Sequence, residues 1–215
     1  MAQRGRPRSF DRQAALIAAM KLFWLKGYTA TSMADLYQAM GINSPSLYAA
    51  FGSKEDLYQE VLEYYQQSVA PLIWSPLDTA SNAREAVQQW LNCSATTLTS
   101  ADLPPGCMVT LSTVASEGYE RLGELVRRAR AKGVSMLQAR LDQAVAVGEL
   151  PQSVDTAALS RLYIAIQQGM SLQARDGATT TALLSMADMA MGLWPDISRA
   201  GTGNATPVTE YLKRL

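Results

Sequence analysis

The chain has 215 residues, 48% hydrophobic and 18% charged, so it can bury a full core, which excludes intrinsic disorder as its main state. Nineteen Lys+Arg balance nineteen Asp+Glu, yet residues 1–34 carry six basic residues against one acid, which makes the N-terminal end the anion-facing one. The lack of histidine removes His-based zinc sites and imidazole bases, and two cysteines are too few for a thiolate zinc cage or a disulfide framework.

No catalytic residue, cofactor or metal site is therefore expected, and cysteine usage fits a reducing, cytoplasmic compartment. The apolar run Ala14 to Met20 is short for a signal peptide and ends at Lys21. Asp188 interrupts the richest apolar segment, Leu183 to Trp194, so no membrane association is expected either.

Helical periodicity dominates. Leu16, Met20 and Phe23 recur at spacings of four and three, with Ile17 and Trp24 beside them, and Lys26-Gly27 closes a first helix. Ser32 with Asp35 reads as a capping box opening a short second helix that Gly41 stops. Ser44-Pro45 reads as an N-cap followed by proline at the first position of a third helix, which ends at Gly52. A second capping box, Ser53 with Asp56, starts a longer helix reaching about Val69. Pro71, Pro76 and the polar stretch Asp78 to Asn82 read as a loop, and Asn82 with Glu85 starts the next helix. Cys107 to Glu117 is assigned to helix, although its alternating β-branched residues also fit a strand. Tyr119 to about Val147, Asp155 to Arg175 and Thr179 to Trp194 complete an all-α chain of about nine helices. The expected organisation is an N-terminal three-helix unit over 1–52, a larger helical bundle over 53–197 and a tail over 198–215.

Helices two and three, joined through Gly41, have the dimensions of a helix-turn-helix locked by Leu36, Met40, Ile42 and Leu47. A helix reads a major groove only if its first turn is exposed and its base is held rigidly. That turn offers Ser44, Pro45, Ser46, Tyr48 and Ala49: hydroxyls for phosphates or base edges, an aromatic ring, and a methyl that can meet thymine. Lys54, in the first turn of helix four, can share a phosphate with the helix amides, and the arm bearing Arg6 and Arg8 can enter a minor groove. Double-stranded DNA is the expected partner. The alternative is a helical ligand-binding or protein-docking module that never touches DNA, which predicts no duplex binding at low salt.

The run Thr31-Ser32-Met33-Ala34-Asp35-Leu36, then Gly41-Ile42, Ser46-Leu47-Tyr48, Phe51, Ser53-Lys54-Glu55 and Leu57, resembles the signature of the TetR family of bacterial transcriptional regulators. Residues 10–60 carry the resemblance, with departures at Tyr37 and Met40, where the family usually has small alanines. Pro105-Gly106-Cys107, Gly148-Glu149-Leu150-Pro151 and Gln168-Gly169 to Ala178 add a weaker likeness to one branch. The resemblance implies a homodimer that binds a palindromic operator and is released by an inducer held in the C-terminal bundle. It also implies phosphate contacts at Thr31, Tyr48 and Lys54, a recognition helix starting over Ser44 to Ser46, and a dimer interface built from the last two helices. Leu162, Ile166, Gly169 and Met170 on one helix, and Leu184, Ala187 and Met191 on the next, supply apolar surface for such an interface.

A small-molecule effector calls for adaptable methionines, aromatic rings and a few polar tips, and Trp74, Trp90, Met108, Met136, Tyr163 and Gln167 are candidates, each of which also suits plain core. Cys107 follows Pro104-Pro105-Gly106 at the start of a helix, where the dipole favours thiolate; it reads as an electrophile or oxidant sensor or as a small buried hydrophobe. Cys93 is assigned to the core, and Arg127, Arg128, Arg130 and Lys132 to a solvated face paired with Glu120 and Glu124.

Overall fold

The computed structural model describes residues 10–195, in which the backbone forms eleven helices and no strand. Four of them make the N-terminal unit: α1 Arg12–Lys26, α2 Met33–Met40, α3 Ser44–Phe51 and α4 Lys54–Ser68. Local chemistry sets their ends. Asp11 accepts hydrogen bonds from the Gln13 and Ala14 amides at the start of α1, and both expected capping boxes, Ser32 with Asp35 and Ser53 with Asp56, are formed. Gly41 ends α2 at φ 65°, the left-handed conformation that lets its amide return to the last turn. The cap of α3 is Asn43 rather than Ser44: its amide oxygen accepts from the Ser46 N–H at 3.0 Å, which leaves the Ser44 hydroxyl for another partner.

The Asp35 carboxyl is held down to about 2 by hydrogen bonds from Ser32 and by Lys26. A depressed folded-state value contributes stability that is present above about pH 4 and lost as pH falls toward about 2. Asp35→Asn is expected to flatten that acid limb in thermal melts recorded across this range. Curves parallel to the wild type would contradict the assignment.

The larger unit contains α5 Pro71–Trp74, α6 Pro76–Thr79, α7 Ala83–Leu98, α8 Met108–Leu111, α9 Glu120–Ala146, α10 Thr156–Arg175 and α11 Thr180–Met191. The loop expected from Pro71 to Asn82 begins instead with two single turns, each opened by a proline whose fixed φ and missing N–H suit a first helical position. The helix expected from Cys107 to Glu117 stops at Leu111. Its carbonyls are taken instead by Arg130 of α9, which donates to Val109, Thr110 and Ser112 oxygens at 3.0, 2.9 and 2.7 Å. Arg130 is thus turned inward, whereas Arg127 and Arg128 pair with Glu120 and Glu124 on the solvated face.

Two cores result. The first joins α1–α4 to Met108, Val109 and Val114 and to Leu122 and Val126 of α9. The second lies among α5–α7, the later part of α9, α10 and α11, and centres on Trp90, which has no accessible surface. Cys107 is packed against both. No helix among the described residues is long and apolar enough to cross a membrane.

Candidate nucleic-acid interface and effector cavity

Leu47 and Phe51 anchor α3 in the first core, so the opposite side of the helix is presented outward. Pro45, Tyr48 and Ala49 are exposed there, Tyr48 by 52%, with Ser44 and Ser46 half-buried beside them. Tyr37, one of the two residues that depart from small alanines, donates its hydroxyl to Ser44 Oγ at 3.0 Å and so ties α2 to the start of α3. The neighbouring Tyr37 phenol also raises the pKa of Tyr48. Arg12 closes the unit from behind: it holds Glu60 of α4 at 2.5 Å, donates to the Ala50 carbonyl at 3.1 Å and lies over the Phe51 ring.

Lys54 stands at the start of α4, its ammonium 4.3 Å from the Tyr28 ring centroid. Burial pushes its pKa down and Glu117 opposes the shift. Thr31 is placed inside, with no exposed surface, and its hydroxyl donates to the Gly27 carbonyl at 2.6 Å. That hydroxyl supports the turn between α1 and α2. Arg6 and Arg8 lie outside the described residues.

The reading unit is gripped from the larger unit at several places. Glu117, in the segment before α9, accepts from Thr29 and Thr113, each at 2.5 Å, which with Lys54 nearby holds its carboxyl below the usual range. Ser112 and Tyr58 share a hydrogen bond at 3.0 Å, and Arg121 holds Asp56 at 3.2 Å. Arg175, at the end of α10, donates to the last-turn carbonyls of α1, Trp24 at 2.7 Å and Leu25 at 3.1 Å. Such a cation completes a helix C-terminus that Lys26 does not fill, because Lys26 pairs with Asp35 at 3.1 Å.

A cavity of about 320 Å³ opens between α4, α5, α8, α9 and α10. Of the residues singled out from sequence, Trp74, Cys107, Met136 and Gln167 line it. The other three stand elsewhere. Trp90 sits behind Trp74 with ring centroids 5.4 Å apart, Met108 belongs to the first core, and Tyr163 is fully buried with its hydroxyl on the Ala190 carbonyl at 3.3 Å. Sequence reasoning missed Tyr65, Arg130 and Gly133. Only Gly133 leaves a trace in the sequence, as a glycine within an otherwise continuous helical pattern. A Cβ at that position would come within 2.7 Å of the Trp74 ring, so the indole packs closely against α9 at Gly133.

Cys107 caps α8. Its sulfur accepts from the Tyr65 hydroxyl at 3.2 Å and from the Thr110 amide at 3.5 Å, and its own amide donates to Ser171 Oγ of α10 at 2.8 Å. Gly106 makes this approach possible: its φ is +79°, and a Cβ there would meet Leu111 at 2.5 Å and the Ser171 carbonyl at 2.7 Å. Cys93 is half-buried, and burial raises its pKa.

On α10 and α11, Leu162 is exposed, and Ile166, Gly169 and Leu184 are half-buried. Met170, Ala187 and Met191 face the protomer's own core. Leu172, Met189 and Leu193 are instead exposed, Met189 by 78%.

Comparison with known proteins bears directly on this arrangement. The profile described as bacterial regulatory proteins, tetR family, matches residues 15–61. The HTH-type transcriptional repressor ComR of Escherichia coli K12 is 39% identical over 196 residues, 90% of this chain and 93% of that one. BdcR, another HTH-type transcriptional repressor of Escherichia coli K12, is 51% identical over 69 residues, 32% of this chain and 35% of its own. Among solved structures, a cysteine mutant of the TetR-family regulator CifR complexed with 26-bp double-strand operator DNA superposes with a TM-score of 0.84 at 36% identity, over 89% of this chain and all of that one. An all-helical architecture, a helix-turn-helix with an outward-facing third helix, and a relative matched almost end to end converge on one assignment: this chain belongs to the TetR family of bacterial transcriptional regulators.

Proposed function

We propose that the chain is a cytoplasmic repressor that binds a palindromic operator as a homodimer and lets go when a small molecule occupies the cavity beside Cys107. The exposure of Tyr48 and Ala49 on α3, with Lys54 a short step away, carries the DNA-binding half of this reading. Residues 1–52, backed by α4, would then form the reading unit, the rest of 53–197 the effector and dimer unit, and 198–215 a tail. The names of ComR and BdcR favour repression. For the dimer, the supporting feature is the apolar surface left uncovered at Leu162 and Leu172 of α10, Met189 of α11 and Leu193 just after it.

Release follows from connectivity. Cys107, Val109 and Thr110 form one wall of the cavity, and the same short segment continues into Ser112, bonded to Tyr58, and Glu117, bonded to Thr29. An effector that displaces α8 shifts both grips on the reading unit and favours dimers whose two α3 helices no longer sit one helical turn of DNA, about 34–36 Å, apart. A coupling of about 1–3 kcal/mol would loosen operator binding roughly 5–150-fold. The position of the Cys107 sulfur on the cavity wall also suits an electrophile that alkylates it, which would break the Tyr65 bond.

Changes on the outward side of α3 are expected to alter preference among sequences. Ala49→Ser and Ser46→Ala should each change the ratio of affinities for operator and point-substituted duplexes, by a factor of about 5–100 at one position of each half-site. Gel shifts with operator and scrambled duplexes measure it. Equal loss on every duplex would contradict base readout, and absence of any duplex binding at low salt would leave a ligand-binding or docking module.

A further inference from the structure

Among the described residues one buried polar side chain faces the cavity. Gln167 is 4% exposed, lines the cavity, and makes no side-chain hydrogen bond to any described residue. An occupant that displaces solvent from this amide without replacing its hydrogen bonds pays for the loss, and one that supplies partners does not. The residue one helical turn later, Ser171, bonds the Cys107 amide, so Gln167 projects from the same face of α10 toward the α8 wall.

Charge narrows the class of molecule that fits. Arg130 directs Nε and Nη2 to three backbone carbonyls of 109–112, and those dipoles share its charge. The remaining charged side chains on the lining, Asp78 and Lys132, are exposed and opposite in sign. An ion carried down to Gln167 would lose its hydration and gain an amide and a guanidinium whose Nε and Nη2 are already engaged. Ile73, Trp74, Met136 and Ile164 present apolar surface to whatever enters.

We propose that the cavity takes an uncharged, largely apolar ring compound bearing one amide or carbonyl group seated on Gln167, and that Gln167 sets this preference. The inference rests on the reading of the cavity as the effector site, and it commits to the ligand's charge and to the residue that reads it.

Four probes of one shape test it: 2-naphthamide, 2-naphthoate, 2-naphthylmethylammonium and 2-methylnaphthalene, titrated by calorimetry into the full chain. The neutral amide is expected to bind at least tenfold more tightly than either ion. Gln167→Leu should reduce amide affinity about tenfold while 2-methylnaphthalene binds as well or better. Gln167→Glu, which keeps the side-chain shape, should reverse the order in favour of the ammonium. Three results would overturn the proposal: naphthoate equal to or tighter than the amide, an amide affinity indifferent to both substitutions, or no binding by any probe. Operator gel shifts on the same samples keep the two readings apart. If the amide binds through Gln167 without loosening operator, the ligand class stands and the effector role falls; if operator binding persists and no probe binds, the ligand class falls alone.

Discussion

Replacing Lys54 by alanine is expected to lower affinity for operator and scrambled duplexes by the same factor, roughly tenfold per half-site and about a hundredfold for a dimer. The ammonium lies over the Tyr28 ring at the first turn of α4, where free helix amides and a fixed cation together favour a phosphate oxygen. A phosphate held there would be one counterion-releasing contact per protomer, so with Lys54 gone the log–log slope of affinity against salt should become shallower by about 0.9 per half-site. Tyr48→Phe should act in the same sequence-blind manner but more weakly, because it deletes one neutral hydroxyl. Fluorescence anisotropy over a salt series distinguishes these outcomes. An unchanged slope in Lys54→Ala would mean that no phosphate is bound there.

The second large effect concerns the core behind the cavity. Trp90 has no exposed surface and supports Trp74, which in turn rests on Gly133. Trp90→Ala removes the largest fully buried side chain and is expected to cost about 3–5 kcal/mol, or a fall in melting temperature of roughly 10 °C for a chain of this size. Trp90→Phe should recover much of the loss, since the Trp90 Nε1 has no hydrogen-bond partner to forfeit. Calorimetric melts decide it: a shift of only a degree or two in Trp90→Ala would show that the second core collapses around the gap or does not depend on this ring.

The reading unit was legible in the sequence because its determinants are local. Ser32 with Asp35, Ser53 with Asp56, and Gly41 act within one turn of themselves, and each forms in the structure what its spacing implies. Even there, two neighbouring polar side chains suit one cap: Asn43 takes the role assigned to Ser44, whose hydroxyl accepts from Tyr37. In the larger unit the decisive partners are remote. Arg130 carried every sign of a solvated helix charge, yet its acceptors lie 18 to 21 residues back along the chain. Periodicity shows that α10 and α11 are apolar on more than one side, but not which side the protomer keeps. Met170, Ala187 and Met191 went inward and Leu172, Met189 and Leu193 outward. Trp74 and Trp90 face the same ambiguity; only the packing of α5 on α7 places one in the cavity and the other behind it.

Selection of bound duplexes from a random pool by the full chain tests the central claim most directly. The account predicts enrichment of an inverted repeat whose half-site centres lie about one helical turn, or a multiple of it, apart. Recovery of sequences with no inverted symmetry, or no enrichment over the starting pool at low salt, would contradict it.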